Sequence, residues 1–448
     1  MKPKARTIGG FASLGVAMLL LATPTVIFWR PHLPFFYIID DWTALIQMSE
    51  EPFWQYVLRP DGEQWFPFFH LIFYGLVRMA GERYDLLLLV NCLGTGVNAS
   101  LLYRFFGRQF SAGLALILSF FYALAAVHHA IAWNAFYLCY VLSLGFFLGA
   151  LLLTQSYLRA PSFPKLLGVG LCSLLSILSH NYTLLGLATL PLYAVLLGKP
   201  QKGKGFWPLT QTLGVVYLAF ALGYLRFAGF TAAASHNLTI FSGLPGPNYL
   251  LHLLSAAILS PFLYLFWGHF HFPVWSYVAA SLLLTASLGT IWLSGGPPER
   301  RLSLWALLFN ILPIVLISLT RYQRSVNQAF VARYGIFTLI GALLLLGTAF
   351  SLLAPRLSQR RWFKLAALGL FLFLVSGQFA SLSIWRAKYL DMSRAATVCY
   401  RMLYSRENFP EVAAKELFRQ FCPTAHPNIT PNQAIAIHRF LRGLPKEP

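Results

Sequence analysis

Two adjacent carboxylates, Asp40 and Asp41, stand in the run Phe35-Phe36-Tyr37-Ile38-Ile39-Asp40-Asp41-Trp42. Neighbouring acids repel each other's charge, so their proton affinities separate and the pair can divide its work. One can take a proton from an attacking hydroxyl while the other orients that hydroxyl or holds a cation. The plainer reading of the same residues is an aspartate capping a helix over 42–48, with Asp41 at its first turn. Further along, Arg59-Pro60-Asp61-Gly62-Glu63 offers charged groups that could line a cleft, although Pro-Asp-Gly is also a strong turn signal. His70, the pair His128-His129 with Trp133, and His180-Asn181 complete the polar set. None of these histidines has the ligand spacing of a zinc site.

These groups need elements to position them, and composition says what kind. Hydrophobic residues make up 57% of the 448 positions and charged residues 11%, too little polarity to cover a soluble globule of this size. Apolar runs of about 20 residues match the length of a helix crossing a bilayer. Within hydrocarbon only helices and closed barrels satisfy their own backbone, and the alternation of barrel strands is absent. The predicted fold is therefore all-α, a polytopic membrane protein in the inner (plasma) membrane of a bacterial-type cell.

Charge distribution sets the expected topology. The net charge of +20 lies mostly in short loops, which marks those loops as cytoplasmic and argues against nucleic acid as a partner. Lys2, Lys4 and Arg6 place the amino terminus inside, and 8–29 reads as a retained first span. Spans then follow at 86–106, 112–127, 135–157, 166–178, 184–197, 206–227, 274–293, 302–319, 335–353 and 365–385, about eleven in all. Two apolar stretches, 65–80 and 250–267, are expected to lie at the interface or re-enter, because a crossing at 250–267 would move the later basic clusters outside.

On this topology the chain divides into a transmembrane part, 1–385, and a small Pro-rich extracytoplasmic segment, 386–448. The first outer loop, 30–85, holds eight of the fourteen acids, and none occurs from Leu86 to Pro298. A second outer or re-entrant element covers 228–273. Of the five cysteines, Cys92, Cys139 and Cys172 fall in apolar runs and read as packing residues. Cys399 and Cys422 could form a disulfide if their segment faces an oxidising compartment.

Arg226, Arg321, Arg324 and Arg333 fall on the outer side, against the positive-inside trend. A guanidinium pairs with two phosphate oxygens at once, so a lipid phosphate would account for them. Snorkelling of long side chains at the interface is the alternative. Phosphate-binding glycine loops, Rossmann fingerprints and serine nucleophile elbows are absent from the sequence.

The Asp-Asp-Trp after the first span, Arg59-Pro60 leading to Pro67-Phe68-Phe69-His70, Asn91, His128-His129-Ala130-Ile131-Ala132-Trp133 and the late Arg333-Tyr334 together resemble the C-type glycosyltransferase superfamily. The likeness is to bacterial relatives of the protein O-mannosyltransferases and to TMTC-like enzymes, and it covers residues 1–385 through sparse positions. It implies sugar transfer from a polyprenyl-phosphate donor to a hydroxyl-bearing acceptor on the extracytoplasmic face. By the same resemblance, Asp40 or Asp41 is the catalytic base, the other acid orients the acceptor or binds a divalent cation (magnesium or manganese), and Arg333-Tyr334 meets the donor phosphate. Two departures leave metal dependence open: His129 replaces an acid in the second outer loop, and Ser179-His180-Asn181-Tyr182 replaces a frequent Lys-Glu. Two other classes remain in view, a transporter or flippase without catalysis and a lipid-linked glycan polymerase or ligase.

Overall fold

The structure is a computed structural model that describes residues 10–30, 40–61, 64–198, 206–227, 247–267, 272–321, 332–357, 360–404 and 431–442. The chain begins with α1 (Gly10–Trp29), followed by three short helices, α2 (Asp40–Glu50), α3 (Phe53–Leu58) and α4 (Pro67–Ala80). Longer helices follow: α5 (Tyr84–Phe106) and α6 (Ala112–Leu124), then a short α7 (His129–Trp133), then α8 (Leu138–Arg159), α9 (Phe163–Ser179), α10 (Thr183–Leu197) and α11 (Phe206–Phe227). The remainder comprises α12 (Pro247–Phe266), α13 (Val274–Ser294), α14 (Pro297–Arg321), α15 (Ala332–Leu357), α16 (Arg361–Tyr404) and α17 (Pro431–Arg442). Among the described residues there is no strand, only an isolated bridge between Asp61 and Gln64.

The fold is all-α, and seven of its described segments are long and apolar enough to cross a membrane. Each coincides with one of the expected spans. Two of the other expected spans, α9 and α10, have 17 and 15 residues; at 1.5 Å per residue they reach about 26 and 23 Å, short of the roughly 30 Å hydrocarbon core. The outward faces suit lipid. On α11, Val215, Leu218, Leu222 and Leu225 recur at helical spacing and are all exposed, as are Leu365, Leu368 and Leu372 on α16.

Inside the bundle, packing relies on small residues and on hydroxyl groups that bond between helices. A Cβ on Gly96 of α5 would stand 2.4 Å from the Cα of Ala22, so only glycine there lets α1 lie against α5. Between α8 and α9, the Ser143 and Ser176 hydroxyls each donate to the other's carbonyl, at 2.9 and 2.7 Å. The Thr183 hydroxyl joins them at 3.0 Å from Ser176 Oγ, which fixes the turn carrying His180-Asn181-Tyr182. From α14, the Trp305 indole N–H donates to Thr189 O on α10 at 3.0 Å. Cys92 and Cys139 are buried and Cys172 is half-buried, as their apolar neighbours predict.

Helix α16 continues as one piece from Arg361 to Tyr404, well past Trp385 where the sequence suggests a boundary. Helix α17, further along the C-terminal segment, docks on the short early helices. Arg78 donates to Phe440 O at 2.7 Å and lies over the Phe440 ring, Arg442 pairs with Glu82 at 2.9 Å, and Gln433 donates to Glu50 at 3.0 Å. Helix α17 thus docks on the acid-bearing loop. Cys422 lies outside the described residues, and so does the expected Cys399–Cys422 pairing.

Candidate active site

Helix α2 starts at Asp40, two residues earlier than the pattern suggests. Asp41, in its first turn, is fully buried. Its carboxylate accepts from the Tyr84 hydroxyl at 2.5 Å and from the Phe136 N–H at 2.8 Å. A buried carboxylate needs such donors to offset its lost hydration. Asp40 begins the same turn; its side chain lies outside the described residues.

Phe136 belongs to an irregular stretch, 125–137, that joins α6 to α8 through two 3-10 turns and α7, whereas Tyr84 opens α5. Buried backbone outside a regular helix must find hydrogen bonds elsewhere. Here side chains from three distant helices supply them. The Asn91 amide of α5 donates to Ile131 O at 2.8 Å and Asn134 O at 2.9 Å. Tyr84 Oη is a second junction: its one proton goes to Asp41, it accepts from Ala135 N–H at 3.2 Å, and it lies 3.2 Å from Trp133 O. Gln378 of α16 accepts from Ala126 N–H at 2.6 Å while its amide donates to Tyr264 O and Leu265 O at 2.9 and 2.7 Å. The first turn of α15 meets the same stretch, because Gly335 leaves no room for a Cβ beside Val127 and Tyr264. That turn carries Arg333 and Tyr334 in its sequence.

The histidines are core residues with defined internal partners. His128 Nε2–H donates to Tyr122 O at 2.8 Å, and His129 Nδ1–H donates to Ala126 O at 2.7 Å while its ring stacks on Trp385 and meets the Trp133 edge. His180 accepts from Tyr182 N–H at 3.0 Å and stacks on Phe66. His70, in the short helix α4, packs between Tyr56 and Phe66. Burial, with the nearby Arg59 charge, pushes its pKa down to about 3, so the ring is neutral at physiological pH.

Asn181 bridges backbone to backbone. In the amide orientation that satisfies both groups, it donates to Trp65 O at 2.9 Å and accepts from Trp65 N–H at 3.3 Å. Trp65 in turn donates to Leu58 O at 3.0 Å and stacks on Phe227 of α11. Arg226, one residue earlier, is exposed, with its guanidinium over the Phe227 ring. Arg59 pairs with Glu51, and Asp61 closes a backbone bridge with Gln64, as a turn requires. Burial, followed by the Asp61 charge, raises the pKa of the adjacent Tyr56 hydroxyl.

The structure thus brings Asp41, Trp133, His129 and the first turn of α15 around one buried stretch. His70, His180 and Asn181 secure the neighbouring loop. Arg321 ends α14, and Arg333 and Tyr334 open α15, but the side chains of all three are outside the described residues, as are Arg324 and Glu63 entirely. Among the described residues no three His, Cys, Asp or Glu side chains converge as a metal site.

Tyr84 and Gln378 are central here, and the sequence reading passes over both. A signal existed for Gln378, a lone amide inside an apolar span, where a polar side chain needs a partner. Tyr84 had none, since a tyrosine beside charged residues at a helix start is an ordinary interfacial residue. No protein family and no curated protein matches the sequence.

Proposed function

We propose that this chain is an integral membrane glycosyltransferase that moves a sugar from a polyprenyl-phosphate donor to a hydroxyl-bearing acceptor at the end of the bundle carrying Asp40 and Asp41. The observation that carries the reading is the division within the acid pair. Asp41 is buried and engaged by Tyr84 and Phe136, so its role is to hold the first turn of α2 against 125–137. Asp40, next to it on that turn, is left as the general base.

In this reaction Asp40 takes the acceptor proton as the acceptor oxygen bonds to the anomeric carbon. The bond from that carbon to the phosphate oxygen breaks, and its electron pair leaves with the polyprenyl phosphate. Displacement from the opposite face inverts the anomeric centre. Arg333 and Tyr334 receive the phosphate charge, with Arg226, Arg321 and Arg324 in reach of the same membrane face in the proposed orientation. That orientation puts the amino terminus in the cytoplasm and the acid pair, with the C-terminal cap, outside. The reaction as written needs no metal.

The docked C-terminal cap supports this side assignment, since α17 contacts the same short helices that frame the acid pair. The test is transfer by the purified protein in proteoliposomes, supplied with a panel of labelled polyprenyl-phosphate hexoses and pentoses and hydroxyl acceptors. Asp40→Asn should abolish release of polyprenyl phosphate while leaving thermal stability unchanged. Near-normal release by both Asp40→Asn and Asp41→Asn would sink the proposal.

A further inference from the structure

At the opposite end of the bundle, the ends of α8, α10 and α15, the loop after α5 and the start of α14 enclose a polar cavity of about 560 Å³. This volume falls within the roughly 300–1,000 Å³ usual for small-molecule sites. All five segments carry the loops whose basic residues mark the cytoplasmic side. Orientation by positive loops needs charges at the surface, but it needs no cavity.

The cavity wall is organised around cations. Arg108 and Arg159 both line it, and Glu299 is the single acid among the lining residues. Arg108 is anchored through one nitrogen: Nη1 donates to Gln155 Oε1 at 2.5 Å and to Leu152 O at 3.3 Å. Gln155 is itself fixed by a 2.7 Å bond to the Tyr193 hydroxyl, which also accepts from Gln109 at 3.4 Å. Buried Gln155 and Tyr193 thus hold the guanidinium in place, while among the described residues neither Arg108 nor Arg159 forms an ion pair. Burial and the neighbouring charges of Arg159 and Arg104 lower the Arg108 pKa. Two arginines to one acid, with neither arginine ion-paired among the described residues, favour an anion that pairs with them.

We propose that this cavity is a binding site for a phosphate-type anion, held between Arg108 and Arg159 with the Tyr193 hydroxyl and the Gln109 amide as further donors. The shared chemistry is a phosphomonoester, either free in the cytoplasm or as the headgroup of a lipid in the inner leaflet. The site is separate from the acid pair, and it stands whether or not the chain transfers sugars.

The test uses the full-length protein in phosphatidylcholine nanodiscs, with melting temperature as the readout. One arm titrates inorganic phosphate at ionic strength matched with chloride; the other incorporates phosphatidic acid into the disc. Stabilisation by phosphate alone identifies a soluble anion, and stabilisation by phosphatidic acid alone identifies a lipid headgroup. Arg108→Gln with Arg159→Gln should weaken the responding probe at least about tenfold, the scale of one charge-assisted hydrogen bond. Glu299→Gln, which removes the opposing charge and keeps the shape, should strengthen it and provides a second reading if the double variant folds poorly. No response to either probe would overturn the site, as would a response unchanged in both variants.

Discussion

The two ends of this bundle handle buried polarity in opposite ways. At the acid-bearing end, an irregular stretch of backbone is closed off by Asp41, Tyr84, Asn91 and Gln378, each bonded to main-chain groups far away in sequence. At the basic end, Arg108 is anchored through one nitrogen and faces a cavity of about 560 Å³. The first arrangement spends its polar groups on the fold. The second leaves charge available to a ligand. A polar residue inside a membrane protein is therefore not by itself a sign of chemistry; what matters is whether internal partners have already taken its hydrogen-bonding capacity.

This contrast divides the acid pair as well, and the largest expected effect tests that division. Asp40→Asn should reduce sugar transfer by about 10²–10⁴-fold, the usual contribution of a general base, with no change in melting temperature. Asp41→Ala should do the reverse in kind. It leaves the Phe136 N–H buried without its acceptor and takes from the Tyr84 hydroxyl the closer of its two, which costs about 1–3 kcal/mol and lowers the melting temperature. If Asp41→Ala melted like the parent, the view of this end as a pinned scaffold would be wrong.

His70 gives a pH-dependent handle on the same end. Its pKa in the fold is about 3, below the 6.5 of a free imidazole. The unfolded chain therefore binds a proton that the folded chain refuses between those values, so stability falls as pH drops below about 6.5. The slope is about 1.4 kcal/mol per pH unit, and stability at neutral pH is unaffected. Melting curves from pH 7 to pH 5 should show this loss, and His70→Asn should flatten it.

The smallest effect concerns the cap. Arg78→Gln removes both the 2.7 Å bond to Phe440 O and the cation over the Phe440 ring, worth about 1 kcal/mol together. Hydrogen exchange should rise in α17 and stay unchanged in α5 and α8. Equal protection of α17 in the variant would show that Arg442–Glu82 and buried Ile437 suffice to dock it.

Much of the architecture was legible because membrane insertion imposes strong local rules. Hydrophobic runs had to be helices, and seven coincide with described segments of crossing length. The basic loop ends after α5, α8 and α10 lie around one cavity with the start of α14 and the end of α15. The candidate site was less legible. His128, His129 and His180 were grouped with the acids because all sit at span ends, yet each bonds main chain within six residues of itself.

The sequence by itself determined the helical class, the apolar segments and the adjacency of Asp40 and Asp41, because hydropathy, charge and chain neighbourhood are local properties. Tertiary structure alone decided that Asp41 is buried while an arginine at the other end faces open space. Its partners Tyr84 and Phe136 lie 43 and 95 residues away. A hydrogen bond over such separations depends on how helices pack, and no spacing rule along the chain encodes it.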